Sequence, residues 1–202
     1  MMNTQSVKKK GKNKIEFVLK DSNSAFANSL RRSVISEVPS MAIDKIIIYD
    51  NSSVLYDEIL SRRLGLLPLS TDLKTYNLTD ECTCKGKGCS KCTVALTLEK
   101  VGPAAVYASD IKSKDPKIKP VYENMLIAKL AEGQKIKIDM TARLGKGKEH
   151  AKFQPGLASF REGTGGNYHF FVESYNNMTP EELTKEALSQ MDDKVTELSK
   201  KL

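Results

Sequence analysis

All four cysteines of this chain, Cys82, Cys84, Cys89 and Cys92, fall in one short stretch with the spacing C-x-C-x4-C-x2-C. Few arrangements satisfy such crowding. Gly86 and Gly88 let the chain curl so that four sulfurs converge, and Lys85, Lys87 and Lys91 offset the negative charge of four thiolates. Disulfides between such close neighbours would form very tight rings, and they are disfavoured in an intracellular protein. A closed tetrahedral zinc site is the first expectation, with an iron–sulfur cluster or an empty site as alternatives. The ferredoxin spacing C-x2-C-x2-C-x3-C is absent, which favours zinc. With four protein ligands no position is left for water or substrate, so the metal is expected to be structural.

The rest of the composition is that of a soluble globular chain, with 40% hydrophobic and 28% charged residues among 202. No stretch approaches the ~18 consecutive apolar residues of a membrane helix, and a cytoplasmic protein without membrane contact is expected. Residues 1–13 are polar and lysine-rich and read as a disordered basic tail. The formal charge is +7. Acidic residues interrupt the basic ones along most of the chain, however, and aromatics interleaved with them are missing. Direct sequence-specific nucleic-acid binding is therefore not expected.

Alternating apolar residues predict a strand over Lys14 to Lys20, through Ile15, Phe17 and Leu19. Capping residues in Asp21 to Ser24 then open a helix carrying Phe26, Leu30, Val34 and Val38, which Pro39 stops. Strands are expected over Met41 to Tyr49, Thr93 to Leu98, Lys135 to Leu144 and Tyr168 to Glu173, with a short helix from Tyr56 to Leu64. Gly156 to Gly166 is glycine-rich and reads as a loop. Thr179, Pro180 and Glu182 form a strong helix start. The helix that follows carries Leu183, Ala187, Met191, Val195, Leu198 and Leu202 at spacings of 4, 4, 4, 3 and 4, one continuous apolar stripe. Such a helix runs about 34 Å at 1.5 Å per residue, about the diameter of a small domain. It could fold back on its own core, but the last two turns would overhang a domain of so few strands, so the stripe is expected to meet another subunit. The order of elements predicts the α+β class.

No catalytic constellation emerges. The glycine pairs match neither phosphate-loop nor dinucleotide patterns. His169 lies in an apolar strand, and His150 sits in a charged turn without a placed nucleophile. Asp57 and Glu58 are adjacent on a helix and point apart.

Several ordered blocks resemble one family: Asn28-Ser29-Leu30-Arg31-Arg32, Glu37-Val38-Pro39, Tyr56-Asp57-Glu58-Ile59-Leu60, Arg62-Arg63-Leu64-Gly65-Leu66-Leu67-Pro68, and Gly147-Lys148-Glu149-His150-Ala151-Lys152-Phe153-Gln154-Pro155. The chain is similar to the D-type subunits of archaeal RNA polymerase, relatives of the bacterial alpha subunit and of the third subunit of eukaryotic RNA polymerase II. The resemblance implies a discontinuous dimerisation domain, residues 14–48 and 157–202, and a mainly-β insert domain, residues 49–156, carrying the four-cysteine loop. It implies a non-catalytic component of DNA-directed RNA polymerase that pairs with a small L-type subunit and supports the two largest, catalytic subunits. Phe26, Leu30 and Val34 would join the C-terminal stripe at the dimer interface, and Arg31, Arg32, Lys148, His150 and Lys152 would contact a large subunit. Phe153 stands where relatives often carry Trp. Pro155 to Phe170 is too short for the extra ferredoxin-like domain of some archaeal members, which makes this a short form.

Overall fold

The computed structural model describes residues 4–202, with side chains from Val7 onward. The chain divides into two compact units. The first gathers the described residues up to Val38 with Lys146–His150 and Gln154–Leu202, and the second comprises Pro39–Gly145 with Ala151–Phe153.

In the first unit, β1 (Thr4–Lys10), β2 (Lys14–Leu19), β9 (Gly156–Glu162) and β10 (Tyr168–Ser174) form a four-stranded sheet in the order β1-β2-β10-β9. Strict alternation sends Ile15, Phe17, Leu19, Ala158, Tyr168, Phe170 and Val172 to one face, where all are buried. Phe17, Phe170 and Phe160 are register partners across three strands, and their rings stack at 5.4 Å and 5.0 Å. Helices α1 (Ser24–Ser36) and α3 (Pro180–Lys201) supply Leu30, Val34, Leu183 and Ala187 to this core. Both helices start as their sequences dictate. Asn23 Oδ1 accepts from the Phe26 N–H at 2.8 Å. Thr179 Oγ1 accepts from the Glu182 N–H at 3.2 Å while Glu182 Oε2 accepts from the Thr179 N–H at 3.1 Å, a reciprocal capping box. The helices meet closely enough for the buried Ser33 hydroxyl to donate to the Ala187 carbonyl at 2.8 Å.

The second unit holds β3 (Pro39–Asn51), α2 (Asp57–Gly65), β4 (Thr93–Val101), β5 (Ala104–Tyr107), the two-residue β6 (Lys112–Ser113), β7 (Leu126–Leu130) and β8 (Lys135–Lys146). One sheet runs β3-β8-β4-β6, and β5 pairs with β7 in a second. Met41, Ile43, Leu60, Leu64, Val94, Leu96, Leu98, Ile136, Ile138 and Met140 fill its core. Arg63 on α2 donates to the Ile127 carbonyl of β7 at 2.7 Å, tying the helix to the smaller sheet.

The mixed α+β class stands, and three sequence readings need correcting. Thr4–Lys10 is not a disordered tail but an edge strand paired antiparallel with β2, with Lys9 opposite Ile15 and Lys10 opposite Lys14. Lysines are tolerated there because they suit an edge strand, and Lys9 reaches Glu181 at 2.5 Å; the earlier part of that tail, residues 1–3, lies outside the described residues. Gly156–Glu162 is a strand rather than a loop: Gly156 is required by close approach, since a Cβ there would lie 2.3 Å from the Glu173 carbonyl oxygen. The first boundary between units falls after Val38 rather than after residue 48, because β3 is one continuous strand of the second unit's larger sheet.

Candidate functional site

The loop before β4 brings the four cysteines together. Lys85, Gly86 and Gly88 all adopt positive φ (52°, 79° and 81°), which folds the loop back twice in quick succession. The Cys92 and Thr93 N–H groups both donate to the Cys89 carbonyl, at 3.0 and 2.9 Å, and anchor the loop to the start of β4. Cys82 and Cys92 are buried, and Cys84 and Cys89 are half-buried. Their sulfurs stand 3.6 Å (Cys82–Cys89), 3.5 Å (Cys84–Cys92) and 3.8 Å (Cys89–Cys92) apart, and all four lie within 4.8 Å of one another. Four sulfurs around a tetrahedral zinc at about 2.3 Å stand about 3.8 Å apart, so the donor set fits such an ion in both number and spacing.

The electrostatics point the same way. Burial pushes the Cys92 thiol up to about 12. At Cys84 desolvation also acts upward, but hydrogen bonding with Cys82 and Cys92 and from the Gly88 N–H outweighs it and brings the thiol down to about 7. One sulfur ionises at the expense of its neighbours, because four thiolates this close repel strongly. A divalent cation removes that conflict. The Cys89 N–H donates to Cys92 Sγ at 3.3 Å, a contact that stabilises a thiolate at this position.

The basic residues singled out in the sequence behave differently from one another. Arg32 is exposed, and Arg31 donates to Asn28 Oδ1 at 2.9 Å. Lys148 reaches Glu37 at 3.4 Å in the first unit, where its N–H also donates to the Ser36 carbonyl. Gly147 permits that turn, since a Cβ there would lie 2.3 Å from the Ile35 carbonyl oxygen. In the second unit, Lys152 reaches Asp44 at 2.7 Å, beside Arg143 at 2.9 Å. Both cations also lie over the Phe153 ring, at 5.0 and 4.8 Å. Burial opposes ionisation of Asp44, but hydrogen bonds from Lys152 and Arg143 prevail and hold its carboxyl below the usual range. His150 is exposed in its turn.

The apolar stripe of α3 divides in two. Leu183 and Ala187 are buried with Leu30 and Val34 in the unit's own core, while Phe26 and Met191 pack partly against it. Val195, Leu198 and Leu202 are 66%, 59% and 99% exposed. The physical reason is coverage: the sheet's apolar face must be roofed first, and the helix is longer than that face. A second exposed apolar group, in the other unit, escaped the sequence reading. Val54 and Tyr56 are 81% and 79% exposed ahead of α2, and Ile59 and Leu66 follow them. Its signal was the apolar pair flanking Leu55 in an otherwise polar turn.

With these features in place, comparison with known proteins identifies the class. A sequence model of the RNA polymerase Rpb3/RpoA insert domain matches residues 43–157, more than half of the chain, and the chain belongs to that family. Among curated relatives it is similar to the DNA-directed RNA polymerase subunit Rpo3 of Archaeoglobus fulgidus, 46% identical over 142 residues, which are 70% of this chain and 54% of the relative. The Rpo3 of Methanosarcina acetivorans is 46% identical over 144 residues, 71% of this chain and 54% of the relative. That of Pyrococcus furiosus is 43% identical over 152 residues, 75% of this chain and 56% of the relative. The chain thus spans about half the length of the curated relatives it matches. Among the described residues no helix is long and apolar enough to cross a membrane.

Proposed function

We propose that this chain is a non-catalytic assembly subunit of a DNA-directed RNA polymerase, of the archaeal D type in its short form, working in the cytoplasm. The observation that carries the proposal is the family membership of residues 43–157, read with the bare end of α3 in the other unit. An assembly subunit must offer apolar surface that its own core leaves uncovered, and such surface marks protein contacts. The exposed side chains of Val195, Leu198 and Leu202, together with the partly buried Met191 and Phe26, suit a heterodimer with a small subunit of the L type. Leu30, Val34, Leu183 and Ala187 contribute by holding the two helices in place from below.

The pair would then support the two largest subunits. Arg31, Arg32, Lys148, His150 and Lys152 are the proposed polar contacts, and the exposed Val54, Tyr56 and Ile59 of the second unit are proposed apolar ones. Lys148 and Lys152 already carry acidic partners, so they would present mixed rather than purely basic surfaces.

In this reading Cys82, Cys84, Cys89 and Cys92 hold one structural zinc, which orders the loop between α2 and β4. No residue is assigned to the chemistry of nucleotide addition. Purification of the tagged chain from its own cells tests the whole proposal. A small partner in equal amount, together with two much larger polypeptides, is expected. Recovery of the chain alone would overturn it.

A further inference from the structure

Among the described residues of the first unit, helices roof its sheet on one face only. Alternation sends Glu16, Val18, Ser159, Arg161, His169 and Phe171 to the other, where with Lys8 they line an open depression of about 540 Å³. Register fixes their order. One row across the sheet runs Lys8, Glu16, Phe171, Ser159, and the next carries Val18, His169 and Arg161.

The charge of this depression is one-sided. Its carboxylate, Glu16, is already held by Lys10 at 2.9 Å and Lys14 at 3.7 Å, and the hydrogen bond from Lys10 keeps that carboxyl below its ordinary range. Lys8, His169 and Arg161 have no hydrogen-bond or ion-pair partner among the described residues. Arg161 moreover faces His169 directly across β9 and β10, a pairing of two nitrogen donors that cross-strand energetics does not favour without an acceptor between them. Half-buried Val18 and Phe171 give the depression an apolar floor.

Unpaired donors flanking an apolar floor fit an extended chain that alternates carboxylates with apolar side chains. Single-stranded nucleic acid fits less well, because it needs bare aromatic faces for stacking. The Phe171 ring is capped by Lys14, whose Nζ lies 4.4 Å from its centroid.

We propose that this face is a docking surface for an acidic extended segment of another protein, its carboxylates taken by Lys8, His169 and Arg161 and its apolar side chains laid on Val18 beside Phe171. Because α1 and α3 cover the opposite face of the sheet, this contact leaves the end of α3 free for its own partner.

The test is fluorescence anisotropy of the full chain with a labelled peptide of alternating Glu and Val. An alternating Lys–Val peptide and an oligothymidine of matched length serve as the other probes. Saturable binding of the acidic peptide alone is expected, weakened about tenfold or more in the Lys8→Glu/Arg161→Glu double variant, as for loss of complementary charge. The milder Arg161→Ala/His169→Ala variant should show the same loss, with an unchanged melting temperature as proof of folding. Binding that survives both variants, preference for oligothymidine, or no binding of the acidic peptide would each overturn the proposal.

Discussion

Lys194, about two-thirds of the way along α3, reaches Glu37 just beyond the end of α1 at 2.7 Å, and Lys148 reaches the same carboxylate at 3.4 Å. Burial raises the Glu37 carboxyl, but the hydrogen bond from Lys194 and the charge of Lys148 more than offset it and hold it below the ordinary range. Past Lys194 the helix turns to itself, with Lys201 reaching Glu197 one turn back at 2.5 Å. The clamp marks where the helix stops serving its own core and begins to extend past it.

The Val195→Asp/Leu198→Asp double variant separates those two roles. Both side chains are mostly exposed, so the stability of the isolated chain should change by no more than about 0.5 kcal/mol. Co-purification with the small partner should be lost, and metal content should stay the same. A variant that still forms a stable heterodimer would remove the end of α3 from the interface.

A contrasting pair of truncations measures where the core ends. Leu183 is fully buried against the sheet, and Leu183→Ala should cost about 2–5 kcal/mol through lost contacts and a cavity. Leu198→Ala, on the same stripe, should be nearly neutral in the isolated chain. Urea denaturation of each variant reads the difference directly. Equal costs would mean that the stripe is packed along its whole length.

Isolated chain should show no sequence-specific DNA binding in a gel shift at about 150 mM salt, where nonspecific phosphate contacts are strongly screened. Many of its lysines reach a neighbouring carboxylate, as Lys100 does Asp110 and Lys135 does Asp50. A clear preference for one duplex over another would contradict the assembly role.

Elements whose local signals agree were legible in the sequence. The Thr179–Pro180–Glu182 start gave α3 its first turn, and the alternation of Ile15, Phe17 and Leu19 gave β2 its face. The cysteine spacing alone sufficed for the convergence of four sulfurs. What escaped depends on partners distant in sequence. Thr4–Lys10 looks like a solvated tail until β2 lies beside it, and Gly156–Glu162 looks like a loop until β10 supplies its ladder. Likewise nothing in the sequence links Lys152 and Arg143 to Asp44, or says that Leu183 and Val195, on one stripe, divide between core and surface.

Acid should loosen the second unit through Asp72. Thr75 Oγ1 donates to its carboxylate at 2.8 Å, Lys117 Nζ lies 3.2 Å away, and the N–H groups of Lys74 and Thr75 add 3.0 and 3.2 Å bonds. Led by the Thr75 hydrogen bond, these hold the carboxyl down at about 2 against an ordinary 3.8. A folded-state value below the unfolded one contributes stability above pH 3.8, and that contribution is lost as pH falls from there through about 2. Thermal midpoints followed by circular dichroism should therefore drop across that window, and Asp72→Asn should flatten part of the drop. An unchanged slope in the variant would assign the acid sensitivity elsewhere, Asp44 first.

The metal prediction is the sharpest, because the loop has little else to hold it. Between Thr79 and Lys91 no large apolar side chain other than the cysteines is present, and the loop's backbone bonds are short-range turns such as Lys85 N–H to the Cys82 carbonyl at 2.9 Å. Zinc binding to comparable short peptides supplies on the order of 10–16 kcal/mol, ample to order such a segment. One zinc per chain is expected by elemental analysis of protein purified without added metal. Cys82→Ser or Cys92→Ser should abolish retention, since each removes a buried ligand. Stripping the metal with a chelator should speed hydrogen exchange from about Asn77 to Thr93, where Asn77 N–H bonds the Lys91 carbonyl at 2.9 Å. The register of β4 with β8, from Thr93–Arg143 to Val101–Lys135, should keep its protection, because that pairing rests on the unit's own core. Iron with visible absorbance would change the ion, and a loop that retains no metal and exchanges no faster after chelation would remove the site altogether.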